Sequence, residues 1–484
     1  MLFCQAAWAQ TLEERILALL ESSPAAQRCF WGIEILDLEK EQVLVRHNAE
    51  RLFVPASNTK LFTTALALMR LGPDYRFQTL VVADRPPDAS GRLKGDLRVV
   101  GGGDPSLSGR VVPYQKDATG GDPFEAIEQL AAQVVARGVR SIQGDLVGDD
   151  TAYLWEPYPQ GWAQDDTVWE YGAPVSALTF NDNSITLSIR PPGRPNQPPQ
   201  LSLSPALEYY VIDNRLRAGP EPERRIRLER LPGSRQLRLW GTIPAEGSGE
   251  TRIPLAIDDP ALYTAGAMYE ALLRRGVAVA GRPRAVHRFA NEALQPAPGA
   301  APGPFELARR DSPPLVELVR VIDKVSQNLH AELVLREVAR TKRGVGSREA
   351  GLEELRQFLA EAGIEEASYR FEDGSGLSRL NLVAPSAVVK LLGYMHRRPY
   401  REAWLSLLPV GGEDGTLANR FAGQAEARRL RAKTGTLSHV SALSGYVDSR
   451  SRGWLAFSVL VNNYSGASSE IRPIIDKICL WMTE

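Results

Sequence analysis

A serine stands three residues ahead of a lysine in Ser57-Asn-Thr-Lys60, at the head of a run in which Leu61, Ala65 and Leu68 recur with helical spacing. Pro55 suits the entry to a helix, so Ser57 and Lys60 are expected on adjoining positions of its first turn, a hydroxyl beside an amine. A serine hydroxyl is a poor nucleophile until its proton is removed, and a lysine kept neutral by burial or by a second cation can remove it. Alone, the pair is weak evidence, and a helix N-terminus carrying a solvated lysine accounts for it. Two distant stretches add to it: Ser326-Gln-Asn328 after an apolar helical run, and Lys433-Thr-Gly435 between strand-like segments. A second hydroxyl, an amide that both donates and accepts, and a second amine complete a set suited to serine acyl transfer.

These residues come from opposite ends of the chain, and other elements must bring them together. Thr11-Leu-Glu-Glu14 fits a capping box ahead of a helix with apolar Leu12, Ile16, Leu19 and Leu20. Residues 30–38 and 42–46 read as a hairpin, and the helix opened by Ser57 runs to about Arg70, where Gly72-Pro73 stops it. From Tyr75 the texture changes to short strands and Pro/Gly turns, with one helix over 124–139, and the proline-rich stretch 295–304 reads as a linker. A mainly β insert therefore separates the first two catalytic stretches. Beyond it, helices are expected from Pro313, over 351–362, 387–395 and 401–408, then strands at 433–436, 440–447 and 454–461, and a last helix over 471–481. Hairpin and helix first, strands and helix last: both ends must share one sheet with helices on its faces.

The chain has 484 residues, which implies two or three domains. A net charge of -1 and 43% hydrophobic residues describe a globular protein with no electrostatic bias toward nucleic acid. No apolar run is long enough to cross a bilayer, so any membrane contact is expected to be peripheral. Ala7-Trp-Ala9 has the small-x-small pattern cut by signal peptidase, and residues 1–9 read as the remnant of a secretion signal, implying an exported, periplasmic or otherwise extracytoplasmic protein. Cys4 would leave with it. Cys29 and Cys479 then either bridge the first strand to the last helix or stay as two buried thiols. The five histidines are scattered, and no metal site or cofactor motif is read.

With these motifs in view, the chain resembles the low-molecular-mass class C (type-4) penicillin-binding proteins, serine D-Ala-D-Ala carboxypeptidases of peptidase family S13. The likeness extends to Gly101-Gly-Gly-Asp-Pro105, Gly144-Asp-Leu-Val-Gly-Asp-Asp150, Pro174-Val-Ser-Ala-Leu178, Asp373-Gly-Ser-Gly-Leu-Ser-Arg379 and Gly412-Glu-Asp-Gly-Thr-Leu417. It implies an α/β (α+β) serine β-lactamase/transpeptidase-like domain, an antiparallel sheet flanked by helices, with large mainly-β inserted domains. The expected boundaries are 10–74 and 305–484 for the catalytic domain, 75–100 and 172–304 for inserted domain II, and 101–171 for a nested domain III.

The resemblance also implies roles. Ser57 attacks the penultimate D-alanine carbonyl with Lys60 as base, Ser326 relays a proton to the leaving nitrogen, and Asn328 holds the substrate amide. Lys433 and Thr434 bind the terminal carboxylate, Gly435 leaves room for the substrate backbone, and the N–H groups of Ser57 and Thr436 form the oxyanion hole. Asp166, five residues before Tyr171, takes the ammonium of a diaminopimelate side chain, and Arg379, with Ser438 alongside, takes its carboxylate. Peptidoglycan stem peptides are the implied partners, with β-lactams as covalent inhibitors. Two positions depart from the family. Gln327 stands in place of the usual Asp and is expected to face away from the chemistry. His439 stands where glycine is common, in a structural or substrate-contacting role.

Two other readings compete. A class A β-lactamase shares the triple but is shorter and carries a Glu-based deacylation loop not found here. A non-catalytic wall scaffold has no need of Ser57, Lys60 and Lys433 together.

Overall fold

The computed structural model describes residues 10–484 apart from 119, 195–196, 220–223, 232, 246–248 and 291–303. The expected signal remnant 1–9 and residues 295–303 of the expected linker lie outside the described residues. The chain divides into two compact units. One comprises residues up to Asp74, Leu315–Val338 and Gly351–Glu484; the other comprises Tyr75–Pro314 and Ala339–Ala350.

In the first unit, β1 (Phe30–Asp37), β2 (Gln42–His47), β3 (Leu430–Leu437), β4 (Val440–Ser449) and β5 (Gly453–Asn462) form one antiparallel sheet in the order β3-β4-β5-β1-β2. Strands from both chain ends thus share one sheet, as expected. Period-2 alternation sends Trp31, Ile33 and Ile35 of β1 and Val459 and Val461 of β5 into a core closed by α1 (Leu12–Ser22) and α6 (Ser468–Met482); α2 (Thr59–Leu71), α3 (Leu315–Val325), α4 (Asn328–Arg343) and α5 (Pro385–His396) lie outside that cluster. Ile16 of α1 and Ile471, Ile475 and Ile478 of α6 cover one face. On the other, Gly32 lies so close under α5 that a Cβ there would stand 2.8 Å from Pro385 Cγ.

α1 begins in the expected capping box, Glu14 N donating to Thr11 Oγ1 and Thr11 N to Glu14 Oε2. α2 departs from the amphipathic expectation: every residue from Thr59 to Leu68 is buried. A helix apolar on one face only would leave its polar side in water; here Thr63 Oγ1 instead donates to Gly374 O at 2.7 Å and Thr64 Oγ1 to Lys60 O at 2.7 Å. Gly72, at φ 82, ends the helix.

The second unit is mainly β, with helices at Glu125–Ala136 and Pro260–Arg274. The strands Pro283–Arg288, Leu146–Leu154, Leu97–Gly101, Gln78–Ala83 and Phe305–Asp311 form, in that order, a five-stranded mixed sheet. Two expected boundaries are corrected by it. Phe305–Asp311, assigned to the catalytic domain, is hydrogen-bonded to Gln78–Ala83 and belongs to the insert, which ends at Pro314. Residues 101–171 do not stand apart as a nested domain, because Leu146–Leu154 lies between Leu97–Gly101 and Pro283–Arg288 in that one sheet. The excursion that builds two three-stranded sheets of its own is Ser184–Ala256.

Cys29 and Cys479 are free. Cys29 Sγ donates to Ala25 O at 2.9 Å, and Cys479 is packed in the core, where burial pushes its thiol well above the usual range. Of the two alternatives, unpaired thiols describe the fold, with Cys29 only half-buried. No helix among the described residues is long and apolar enough to cross a membrane.

Candidate active site

Ser57 sits in the single 3-10 turn Ala56–Asn58 that leads into α2. Ala56 has φ 48, a left-handed backbone that costs a non-glycine residue energy and is held by its surroundings. Lys60, one turn on, is fully buried, and its Nζ lies 3.0 Å from Ser57 Oγ, 2.6 Å from Asn328 Oδ1 and 2.5 Å from Ser375 O. The carbonyl of Ser375 and the amide oxygen of Asn328 are acceptors only. A neutral amine has two hydrogens for those two and one lone pair left, which faces the serine hydroxyl. Burial, and next the charge of Lys433, lower Lys60 from its usual 10.5 to about 7, against the pull of Asp373, Asp323 and Glu332. The neutral state is therefore within reach near neutral pH.

β3 is an edge strand of the sheet. Its outer edge is covered at the start, where Gly411 N donates to Leu430 O and Ala432 N to Pro409 O, and is bordered further on by the Ser57 turn. The ladder with β4 is regular through Leu437, so two-residue alternation carries the outward direction of the Ala432 N–H to Thr436. Asn58 Nδ2 donates to Lys433 O at 2.9 Å, fastening the turn to the strand. Gly435 is required for this approach: a Cβ there would lie 2.6 Å from Pro55 O and 3.2 Å from Ser57 N. The sequence reading put the need for glycine in the substrate; the structure puts it in the protein's own backbone.

Lys433, also fully buried, donates from Nζ to Ser326 Oγ and to Thr434 O, both at 2.9 Å. Ser326 joins α3 to α4 with φ 63, a second left-handed residue in the site. Its neighbour Gln327 accepts from Leu329 N at 2.9 Å and so helps start α4. Thr434 Oγ1 donates to Thr416 Oγ1 at 2.8 Å, and both line a cleft of 290 Å³ that also holds Thr436, Arg420 and Arg472.

Ser375 is presented by the loop 373–379, which Asp373 organises by accepting from Ser375 Oγ, Gly376 N, Ser378 N and Asn381 Nδ2 at 2.6–2.9 Å. Glu332 on α4 anchors the same loop, its Oε1 accepting from Gly374 N and Ser375 N at 2.8 Å each, while buried Arg336 donates to its other oxygen. Gly376, at φ 82, passes so close to the Ser57 turn that a Cβ would stand 1.9 Å from Ala56 O. The sequence reading missed Glu332, Asp373, Ser375 and Thr416. The motifs 373–379 and 412–417 held three of them, but nothing in a sequence tells which backbone carbonyl meets an amine.

Within the first unit the fold thus brings together Ser57, Lys60, Ser326, Asn328, Lys433, Thr434, Gly435 and Thr436. Arg379 and Ser438 also meet, Arg379 Nη1 donating to Ser438 O at 3.3 Å. His439, in the β3–β4 turn, has φ 67, the conformation that explains why glycine is common there, and its Nδ1 donates to Tyr464 O at 2.7 Å. That bond fits the structural role. Asp166 and Tyr171 belong to the second unit, where Tyr171 Oη donates to Asp166 Oδ1 at 3.1 Å.

A family model for the D-Ala-D-Ala carboxypeptidase 3 (S13) family matches residues 12–484. The chain is 35% identical over 466 residues to the D-alanyl-D-alanine carboxypeptidase of Actinomadura sp. (strain R39), covering 94% of this chain and 81% of that protein. It is 24% identical over 454 residues to the D-alanyl-D-alanine carboxypeptidase DacB of Haemophilus influenzae, covering 91% and 86%. The crystal structure of penicillin-binding protein 4 (dacB) from Haemophilus influenzae superposes with a TM-score of 0.83 at 21% identity, over 97% of this chain and 99% of that one. The same protein complexed with a β-lactam gives 0.76, also at 21% identity, over 96% and 97%. The fold is that of penicillin-binding protein 4, a mixed α/β architecture with inserted sheets. The chain belongs to peptidase family S13 and is a serine-type D-Ala-D-Ala carboxypeptidase.

Proposed function

We propose that Ser57 is the acylated nucleophile and Lys60 its general base, in a two-step cleavage of the D-Ala-D-Ala terminus of peptidoglycan stem peptides. The observation that carries this is the Lys60 amine, buried, 3.0 Å from Ser57 Oγ, with its other hydrogens committed to two fixed acceptors. The Ser57 O–H bond breaks as an N–H forms on Lys60 and Oγ attacks the carbonyl carbon; the D-alanine amine then leaves with a proton delivered through Ser326, and water hydrolyses the ester. Lys433 supports the Ser326 relay by its 2.9 Å bond and, with Thr434, draws the substrate carboxylate. Outward N–H groups of Ser57 and Thr436 stabilise the oxyanion, an interaction whose loss typically costs about 3 kcal/mol. Asn328 holds the substrate amide.

The same chemistry extends to D-Ala-diaminopimelate cross-links, since endopeptidase and carboxypeptidase action differ only in the leaving amine. Arg379 and Ser438, adjacent in the structure, fit the carboxylate of a diaminopimelate side chain, and Asp166, on the family resemblance, takes its ammonium. β-Lactams acylate Ser57 as substrate mimics. The protein works outside the cytoplasm, as the Ala7-Trp-Ala9 pattern suggests; N-terminal sequencing of exported protein should begin at Gln10, and a retained Met1 would count against it.

Purified protein incubated with a D-Ala-D-Ala pentapeptide and with cross-linked muropeptides should release D-alanine from the first and monomers from the second. Benzylpenicillin should add its mass to the peptide bearing Ser57. An adduct on another residue would displace Ser57 from this role, and intact cross-links would confine the enzyme to carboxypeptidase action. Asp166→Ala should lose diaminopimelyl substrates yet keep penicillin labelling; equal loss of both would remove the recognition role.

A further inference from the structure

Asp323 lies in the last turn of α3, three residues ahead of Ser326, and is fully buried. Among the described residues neither of its carboxylate oxygens has a partner of normal hydrogen-bond geometry. The hydroxyl of Thr64, which faces it from α2, donates to Lys60 O at 2.7 Å. A buried, unsatisfied carboxylate is costly, and an apolar residue of the same size would serve packing better. Its surroundings supply another reason for its presence. The charges of Lys433 on β3, Lys60 on α2 and Lys324 on its own helix act on it without a direct ion pair, the last of them already tied to Leu408 O and Asp414.

Lys60 also feels Asp373 and Glu332, but those carboxylates are committed: Asp373 to four donors of its loop, Glu332 to two amides and Arg336. Asp323 is the acid of this pocket that holds no loop. Burial raises its carboxyl and lowers the Lys433 amine, and each is pulled back toward its charged form by the other.

We propose that Asp323 is the internal counter-charge of the two-lysine pocket, a positioning residue that offsets the charge on Lys60 as it takes the Ser57 proton and keeps Lys433 an ammonium for the substrate carboxylate. Asp323 itself gains and loses no atom; the proton passes from Oγ to Nζ in its field. This inference rests on the roles of Ser57 and Lys60 given above.

The test is the pH profile of Ser57 acylation by benzylpenicillin in wild type and in Asp323→Asn, which keeps the shape and removes the charge. With the counter-charge gone, both lysines lose protons more readily, so the acidic limb, set by Lys60, and the alkaline limb, set by Lys433, should both move to lower pH by about one unit. A merely structural Asp323 would change the melting temperature and leave the limbs in place; unmoved limbs in a folded variant overturn the proposal. Should Asp323→Asn not fold, infrared difference spectra of wild type labelled with 13C-aspartate give a second measure. A buried carboxyl band should shift on acylation, and its constancy would likewise overturn the proposal. Failure of wild type to acquire penicillin on Ser57 would be a separate outcome, removing the functional reading itself.

Discussion

At the scale of single residues, the site is a contest over one proton. In the proposed mechanism Lys60 acts as base: burial and the nearby charge of Lys433 favour its neutral form, and Ser375 O and Asn328 Oδ1 leave its lone pair a single direction. With Lys60 lowered to about 7, the ammonium prevails below that pH and the free amine above it. Acylation by benzylpenicillin should therefore fall on the acid side of about pH 7. Lys433→Ala should move that limb upward, since removing a neighbouring cation makes the Lys60 ammonium easier to form. Lys60→Ala should slow acylation by about 10²–10⁴-fold, the usual worth of a placed base, measured by stopped-flow on folded protein. An unchanged rate would remove Lys60 from the mechanism.

At the scale of elements, the turn, the strand and the loop around Ser57 are fastened by backbone approaches that tolerate no side chain. Gly435→Ala puts a Cβ 2.6 Å from Pro55 O, so β3 must shift away from the Ser57 turn. Overpacking of this kind costs about 1–3 kcal/mol, and acylation should fall with it because the strand edge and the nucleophile move apart. Denaturant unfolding and penicillin labelling check the two halves of this expectation. Glu332→Ala leaves the N–H groups of Gly374 and Ser375 buried without an acceptor. Each such loss costs about 1–3 kcal/mol, and the carbonyl that holds Lys60 becomes loose, so stability and acylation should drop together. If labelling proceeds at the wild-type rate in the destabilised variant, the loop does not position Lys60.

At the scale of the whole molecule, the two units answer pH differently. In the second, His287 lies between Asp150, at 3.0 Å, and Asp259, at 3.5 Å, and stacks on Trp155. Although burial pulls the imidazole down, these two carboxylates outweigh it and hold His287 at about 9. Asp150 is itself kept above the usual carboxylate range, since its deeper burial outweighs the imidazolium charge. Folding therefore increases proton binding at His287. Its stabilisation is complete below the unfolded value of 6.5 and disappears as pH rises through about 9. The melting temperature of wild type should exceed that of His287→Gln below pH 6.5, and the difference should shrink above pH 9. A gap that stays constant would mean packing on Trp155, not charge, sets it.

What could be read from sequence was whatever depends on local chemistry and on residue order. Three short motifs named seven residues that the fold assembles, and capping, periodicity and Gly/Pro breaks located the helices and the shared sheet. Partnerships across long stretches of chain were not legible. Whether residues 101–171 stand apart, or to which side Phe305–Asp311 belongs, depends on which strand edge is free to pair, and every strand carries the same backbone donors and acceptors. The pairing state of Cys29 and Cys479 was open for the same reason. By itself, then, the amino-acid order pointed to the reaction class, because a hydroxyl and an amine one helical turn apart lie side by side on any helix and the two distant motifs complete the set. Tertiary structure alone decided how that pair is tuned. Burial, the Ser375 carbonyl, the Glu332 anchor and the unpartnered Asp323 all act through space, where solvent is excluded and small separations govern charge.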